Sequence, residues 1–213
     1  MSMNLEPVLD VYPKFEKVSF EQFRKDVGNV LGLSSPTYDE VLKKVYDSIK
    51  LPRRSTSGSS GYDFFCPFSF NLEEPGTSLV IPTGIRATMP QNQVLLIAPR
   101  SGQGFKYRLS ICNTIGVIDS DYAYAKNEGH IMIKIVFDGV NDTIVAMTSF
   151  INEIVNENGQ FNLDIVGTTK KIRNLKINHG DAFAQGIFTN YFMTSDDDTN
   201  EQRVGGFGST DKK

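Results

Sequence analysis

The chain has little cysteine, little histidine, no long apolar run and no surplus of positive charge, and each shortage excludes something. Its 213 residues include two cysteines, Cys66 and Cys112, too few for a disulfide framework, so a reducing compartment is expected. The two histidines, His130 and His179, lie far apart, and neither has a second His or Cys at metal-ligand spacing. Both read as structural or solvated. No apolar stretch approaches the ~20 residues that a bilayer requires, so no membrane association is expected. Glu6, Asp10, Glu16, Glu21 and Asp26 interrupt the first thirty residues, a pattern unlike a signal peptide. Lys plus Arg total 22 against 25 for Asp plus Glu, a net charge of -3, which argues against a nucleic-acid polymer as partner. What is present, 39% hydrophobic and 22% charged residues, suits one folded domain with a sizeable core, expected to be cytoplasmic.

Residues 1–57 read as an N-terminal helical extension and linker. Ser19-Phe20-Glu21-Gln22 is a capping-box pattern, and Phe20, Phe23 and Val27 recur at helical spacing behind it. A second start signal pairs Thr37 with Glu40, and Tyr38, Leu42, Val45 and Ile49 form an apolar stripe opposite Asp39, Lys43, Lys44 and Asp47. Pro52 stops that helix, and the stretch 53–60 is polar and serine-rich, with the look of a mobile lead-in.

From Gly61 the grammar changes to short β-branched and aromatic runs broken by Gly and Pro. Candidate strands are Ser78–Ile81, Ile85–Met89, Val94–Ala98, Leu109–Asn113, His130–Phe137, Ile144–Phe150, Gln160–Val166 and Ala182–Phe188. With no helix between them, these predict an all-β sandwich or jelly roll over residues 58–195. Residues 196–213 form a tail: an acidic spacer at Asp196–Asp198, then Arg203 and a glycine-rich run.

Four segments carry chemistry. Pro99-Arg100-Ser101-Gly102-Gln103-Gly104 offers a guanidinium, a hydroxyl and glycines whose backbone N–H groups approach an anion closely. Gly205-Gly206-Phe207-Gly208-Ser209-Thr210, just after Arg203, repeats that inventory and adds an aromatic suited to stacking on a planar ring. One such segment alone reads as a loop with a salt-bridging Arg; two in one chain shift the reading to a polyphosphate ligand. The third is Gly116-Val117-Ile118-Asp119-Ser120-Asp121-Tyr122, where Asp119 either caps a turn or orients and deprotonates an attacking water. In the fourth, Ser59-Ser60-Gly61-Tyr62-Asp63, the carboxylate either holds a metal through waters or braces a strand end.

In order and in kind, these segments resemble the five motifs of the trimeric dUTP pyrophosphatase (dUTPase) family of bacteria and bacteriophages. Gly61-Tyr62-Asp63 resembles the first, with Ser60 where Ala is usual. Pro99-Arg100-Ser101-Gly102 matches the second, and Asn113 with Gly116–Tyr122 the third. Gly180-Asp181-Ala182-Phe183-Ala184-Gln185 resembles the fourth, with Ala182 where many members carry Arg. Arg203–Thr210 resembles the fifth, one residue shorter than the commonest form. The resemblance implies an all-β jelly roll of the dUTPase (β-clip) type, assembled as a homotrimer with shared active sites. It implies hydrolysis of dUTP to dUMP and pyrophosphate, which limits uracil in DNA and supplies dUMP. Asp119 is then the general base, and Asp63 holds Mg²⁺ through its water shell. Arg100, Ser101, Gly102 and Gln185 line the phosphates; Asn113, Gly116 and Ile118 face uracil; Tyr122 lies under the deoxyribose and leaves no room for a 2′-hydroxyl. Arg203, Gly208, Ser209 and Thr210 grip the outer phosphates while Phe207 closes over the base.

Two stretches exceed the family pattern. Residues 123–128 stand where one residue is common; following Tyr122, they either change the rim of the sugar pocket or form an inert surface bulge, the default reading. The stretch 138–174 reads as an inserted hairpin or subdomain; it is either decoration shielding a sheet edge or, as in some bacteriophage members, a surface for a protein partner. That makes a partner-binding regulator the second function class. A dCTP deaminase, or a bifunctional dCTP deaminase/dUTPase, is the same-superfamily rival.

Overall fold

The computed structural model describes residues 12–146, 165–171 and 174–199. A short strand, β1 (Lys14–Lys17), leads into α1 (Phe20–Leu31), whose cap Ser19 accepts from the Gln22 N–H. Only half of the expected capping box forms within the helix, because Gln22 Nε2 turns to Asp26 Oδ2 at 2.7 Å. Glu128 supplies the other half: its carboxylate accepts from the Ser19 N–H at 2.7 Å and from Ser19 Oγ at 2.6 Å, across 109 residues. The second helix, α2 (Asp39–Ser48), is preceded by a 3-10 turn at Pro36–Tyr38. The sequence places its cap at Thr37; in the structure Tyr38 takes the cap position of α2 without a side-chain bond, and the hydroxyl cap is Ser35, which accepts from the Thr37 N–H at the start of the 3-10 turn that Pro36 opens.

The sequence also reads this front end as an appendage, and the structure builds it into the core instead. Phe23, Val27, Leu42 and Ile49 are buried with the sheet residues, and Phe23 stacks on Phe68 with ring centroids 6.1 Å apart. A 12-residue helix is marginal alone; docking a fully buried side chain such as Phe23 contributes roughly 1.5–3 kcal/mol. The apolar stripes are legible in sequence, but the surface they cover is not.

The strands that follow are β2 (Arg53–Arg54), β3 (Tyr62–Phe65), β4 (Phe70–Leu72), β5 (Ser78–Pro82), β6 (Ile85–Thr88) and β7 (Gln93–Pro99). A short helix, α3 (Ser101–Tyr107), separates these from β8 (Leu109–Ile111), β9 (Gly116–Asp119) and β10 (Met132–Phe137). Then come β11 (Val140–Ala146), β12 (Ile165–Lys171), β13 (Leu175–Ile177) and β14 (Ala182–Asn190). A five-stranded sheet runs β2-β3-β14-β7-β9, a three-stranded one β5-β10-β8, and β1 pairs with β6 and β13 with β4. The architecture is all-β, of jelly-roll type, with two helices docked on it. β11 and β12 pair antiparallel, Val140 opposite Lys171 through Ala146 opposite Ile165. These strands begin before Ile144 and run past Val166; the turn read at 156–159 lies outside the described residues.

A buried polar chain ties α1 to the sheets. His130, fully buried, accepts the Gly84 N–H on Nε2 at 2.8 Å, so its other ring nitrogen carries the proton facing Asp26 Oδ2 at 2.6 Å. For Asp26, burial pushes the carboxyl up, but hydrogen bonds from His130 and Gln22 outweigh it and hold the group below its ordinary value. Glu128 is lowered likewise, burial being outweighed by the two bonds from Ser19. A lowered folded value means stabilisation that is present above the unfolded carboxylate range and is lost as pH falls through the folded value, below roughly pH 4. Urea unfolding measured from neutral pH into that acid range should show the loss, and Asp26→Asn should flatten it. An unaltered acid slope in the variant would remove Asp26 from this role.

Candidate active site

One row across the five-stranded sheet collects the first group of predicted residues. Asp63 on β3 stands opposite Arg53 on β2 and Gln185 on β14, and Gln185 stands opposite Ala98 on β7. Partners placed this way share a face. Asp63 is 9% exposed; its Oδ1 meets Arg100 Nε at 2.8 Å and its Oδ2 accepts from Ser55 Oγ at 2.7 Å. Gln185 Nε2 donates to the Pro99 carbonyl at 3.0 Å, while its Oε1 comes so close to Gly61 that a Cβ there would lie 2.6 Å away. Only glycine admits that approach. Ser59, Gly61, Asp63, Arg100, Ser101 and Gln185 line a cleft of about 550 Å³, with Gly102 at its edge.

The segment after Pro99, expected as an anion-binding loop, is helical from Ser101. Arg100 keeps an extended backbone and takes the N-cap position, so the first N–H groups of α3 lack partners within the helix. Of the donors foreseen from the glycines, the Gly102 N–H is a helix-terminal one, while the Gly104 N–H is taken by the Arg100 carbonyl at 2.9 Å. Arg100 also reaches the Ala182 carbonyl at 3.3 Å, a second anchor for the guanidinium beside Asp63.

The second group lies at the other end of β7. β9 pairs with that strand so that Gly116 faces Ile97 and Asp119 faces Val94. Asn113 stands in the exposed turn before β9. Asp119 is half-buried in a separate cleft of about 580 Å³ with Met89, Gln91, Asp121, Tyr124 and Tyr191. Ile118 is 8% exposed and Tyr122 5%. The Tyr122 hydroxyl donates to the His130 carbonyl at 2.9 Å and accepts from Asn127 Nδ2 at 2.8 Å. From Val94 to Arg100 is six residues of extended chain, so Asp119 and Arg100 of one chain stand roughly 20 Å apart.

Residues 123–128 do not form a loose bulge. Ala125 N–H returns to the Tyr122 carbonyl and Glu128 N–H to that of Ala125, at 3.0 and 2.8 Å. Gly129, at φ 70°, packs so tightly that a Cβ would lie 2.6 Å from Ala123 Cα. The fold also brings up residues the sequence reading passed over. Ser55 and Arg53 meet Asp63 through a two-residue strand too short to show any periodicity. Tyr124, 79% exposed, stands in the Asp119 cleft; an aromatic inside a polar loop was its only signal. Arg203, Phe207, Gly208, Ser209 and Thr210 lie outside the described residues. Among the described residues no three of His, Cys, Asp and Glu cluster as a metal site.

A family model described as dUTPase matches residues 47–148. The deoxyuridine 5′-triphosphate nucleotidohydrolase of Lactococcus lactis subsp. lactis (strain IL1403) is 32% identical over 177 residues, 81% of this chain and 95% of its own. That of Dictyoglomus turgidum is 35% identical over 99 residues, 45% of this chain and 64% of its own. Among solved structures, a dUTPase from Streptococcus mutans aligns at 25% identity and a TM-score of 0.48, covering 68% of this chain and 88% of its own.

Proposed function

The chain belongs to the dUTPase family, and on that premise we propose that it hydrolyses dUTP to dUMP and pyrophosphate with Mg²⁺, in a homotrimer whose subunits share each site. The observation that carries the shared site is the separation along β7. A triphosphate touched by Arg100 at one end does not present its α-phosphorus to an Asp119 roughly 20 Å away in the same chain. A second subunit bringing its Asp119 cleft against the Asp63–Arg100 cleft removes the difficulty.

Asp119 then takes the proton from the water that attacks the α-phosphorus, as the bond to the bridging oxygen of the leaving pyrophosphate breaks. Arg100, Ser101, the Gly102 N–H and Gln185 hold the phosphate chain; Arg100 is pre-set by its bonds to Asp63 and the Ala182 carbonyl, so little reorganisation is needed as charge moves outward. Asn113, Gly116 and Ile118 face uracil, and the Tyr122 ring excludes a ribose. Arg203, Ser209, Thr210 and Gly208 close on the outer phosphates, with Phe207 over the base.

The residues at Asp63 suit a magnesium ion held through water. A lone carboxylate matches an ion that keeps several waters and takes its other ligands from substrate phosphates. Each Asp63 oxygen retains a lone pair beyond those used by Arg100 and Ser55, so both can accept hydration waters. When bound, the ion offsets the negative charge gathering on the leaving group.

The test is hydrolysis of dUTP with Mg²⁺ against dTTP, dCTP and UTP. Selectivity for dUTP of about 10²-fold or more is expected. Ammonia released from dCTP would move the chain to the deaminase branch, and absence of dUTP turnover would overturn the reading.

A further inference from the structure

The helical front end and the 123–128 loop, the two features that look like separate embellishments, are joined at the turn that carries Tyr122. Glu128 closes the cap of α1 through both oxygens, on Ser19 N and Ser19 Oγ. Two residues on, the His130 ring is gripped between Asp26 of α1 and the Gly84 N–H, with Phe23 of the same helix against it at 6.3 Å between ring centroids. The His130 carbonyl accepts the Tyr122 hydroxyl, and Asn127 holds that hydroxyl from the other side. Both of these bonds to the Tyr122 hydroxyl come from the 127–130 segment, and that segment is fastened to α1.

We propose that α1 is a positioning element for sugar recognition: Glu128 and the Asp26–His130 pair clasp the 123–130 segment so that the Tyr122 ring is held still against the deoxyribose. The inference rests on the reading of Tyr122 given above. Exclusion of a 2′-hydroxyl is a matter of fractions of an ångström, and a ring on an unfastened loop yields where a clamped one does not. Neither Glu128 nor Asp26 touches the nucleotide; both act through Tyr122.

The discriminating quantity is the ratio of kcat/KM for dUTP to that for UTP. Loss of folded molecules lowers both values by one factor and leaves their ratio unchanged, so a purely structural role does not move it. Glu128→Ala and Asp26→Asn in the full chain should each lower the ratio by roughly 10-fold, chiefly by raising turnover of UTP. Glu128→Gln, which keeps one acceptor for Ser19, should restore part of it. Because Glu128 is only half-buried, its variants keep the fold accessible to measurement if Asp26→Asn does not. Tyr122→Ala separates the two levels. Selectivity lost there but intact in Glu128→Ala and Asp26→Asn overturns the clasp alone. Selectivity intact in Tyr122→Ala overturns the sugar-pocket reading and the clasp with it.

Discussion

Replacing Asp119 by Asn should lower kcat for dUTP by about 10²–10⁴-fold while leaving nucleotide binding close to wild type. The substitution keeps the shape of the side chain and its capacity to accept a hydrogen bond from water, but an amide does not take up the proton that must leave as the new P–O bond forms. Asp119 sits in a concave, half-exposed position on the last residue of β9, where the paired backbone fixes its direction and a water has access. A group that only capped the following turn would show the opposite pattern, with stability lost and turnover per folded molecule retained. Steady-state rates set beside calorimetric binding of a non-hydrolysable dUTP analogue distinguish the two. Near-normal turnover in the variant would take the base role away from Asp119.

Two inactive variants should make an active protein when mixed as subunits. Arg100→Ala loses the phosphate contact and leaves Asp63 with its Ser55 bond but without its charge partner; Asp119→Asn loses the base. If each site takes Arg100 from one subunit and Asp119 from the next, a mixed ring contains a site with both residues intact. Random assortment in a cyclic trimer returns about a quarter of wild-type sites, since three quarters of the rings are mixed and each of those holds one good site in three. Refolding or co-expressing the two chains and assaying dUTP hydrolysis reads this directly. With both residues in one chain's site, every subunit carries a lesion and mixing yields nothing. Activity that stays at the level of the separate variants would refute sharing between Asp119 and Arg100.

Much of this arrangement was legible in the sequence where local chemistry decides it. The runs at Val94–Ala98 and Ala182–Phe188 are dense in β-branched and aromatic residues, and both are strands, each a little longer than read. Ser19 announced a helix start and is one. Where the outcome depends on residues distant in the chain, the pattern fails. The four residues of β1 and the three each of β4 and β13 are strands because a neighbour offers an edge to pair with, and so short a segment shows no period. Gly102 and Gly104 suggested an open loop, yet α3 forms there, closed by Arg108 N–H on the Gly104 carbonyl. Among site residues, Asp63, Arg100 and Gln185 were found by kind and fall together. Ser55 was not, because nothing in a serine-rich stretch marks which hydroxyl will meet a carboxylate eight residues on.

The cap that Glu128 places on Ser19 has a consequence for the order in which the chain matures. The front of the protein leaves the ribosome first, but the acceptor for the Ser19 N–H follows 109 residues later, a delay of roughly 5–20 s at 5–20 residues per second. Its apolar face waits as well, since Phe68, Gly84 and His130 all come after it. Through that interval the first helix is an unfinished, sticky segment in need of shelter, and its closure waits until the strands bearing Asp63, Arg100 and Asp119 have been made, with Gln185 still to come.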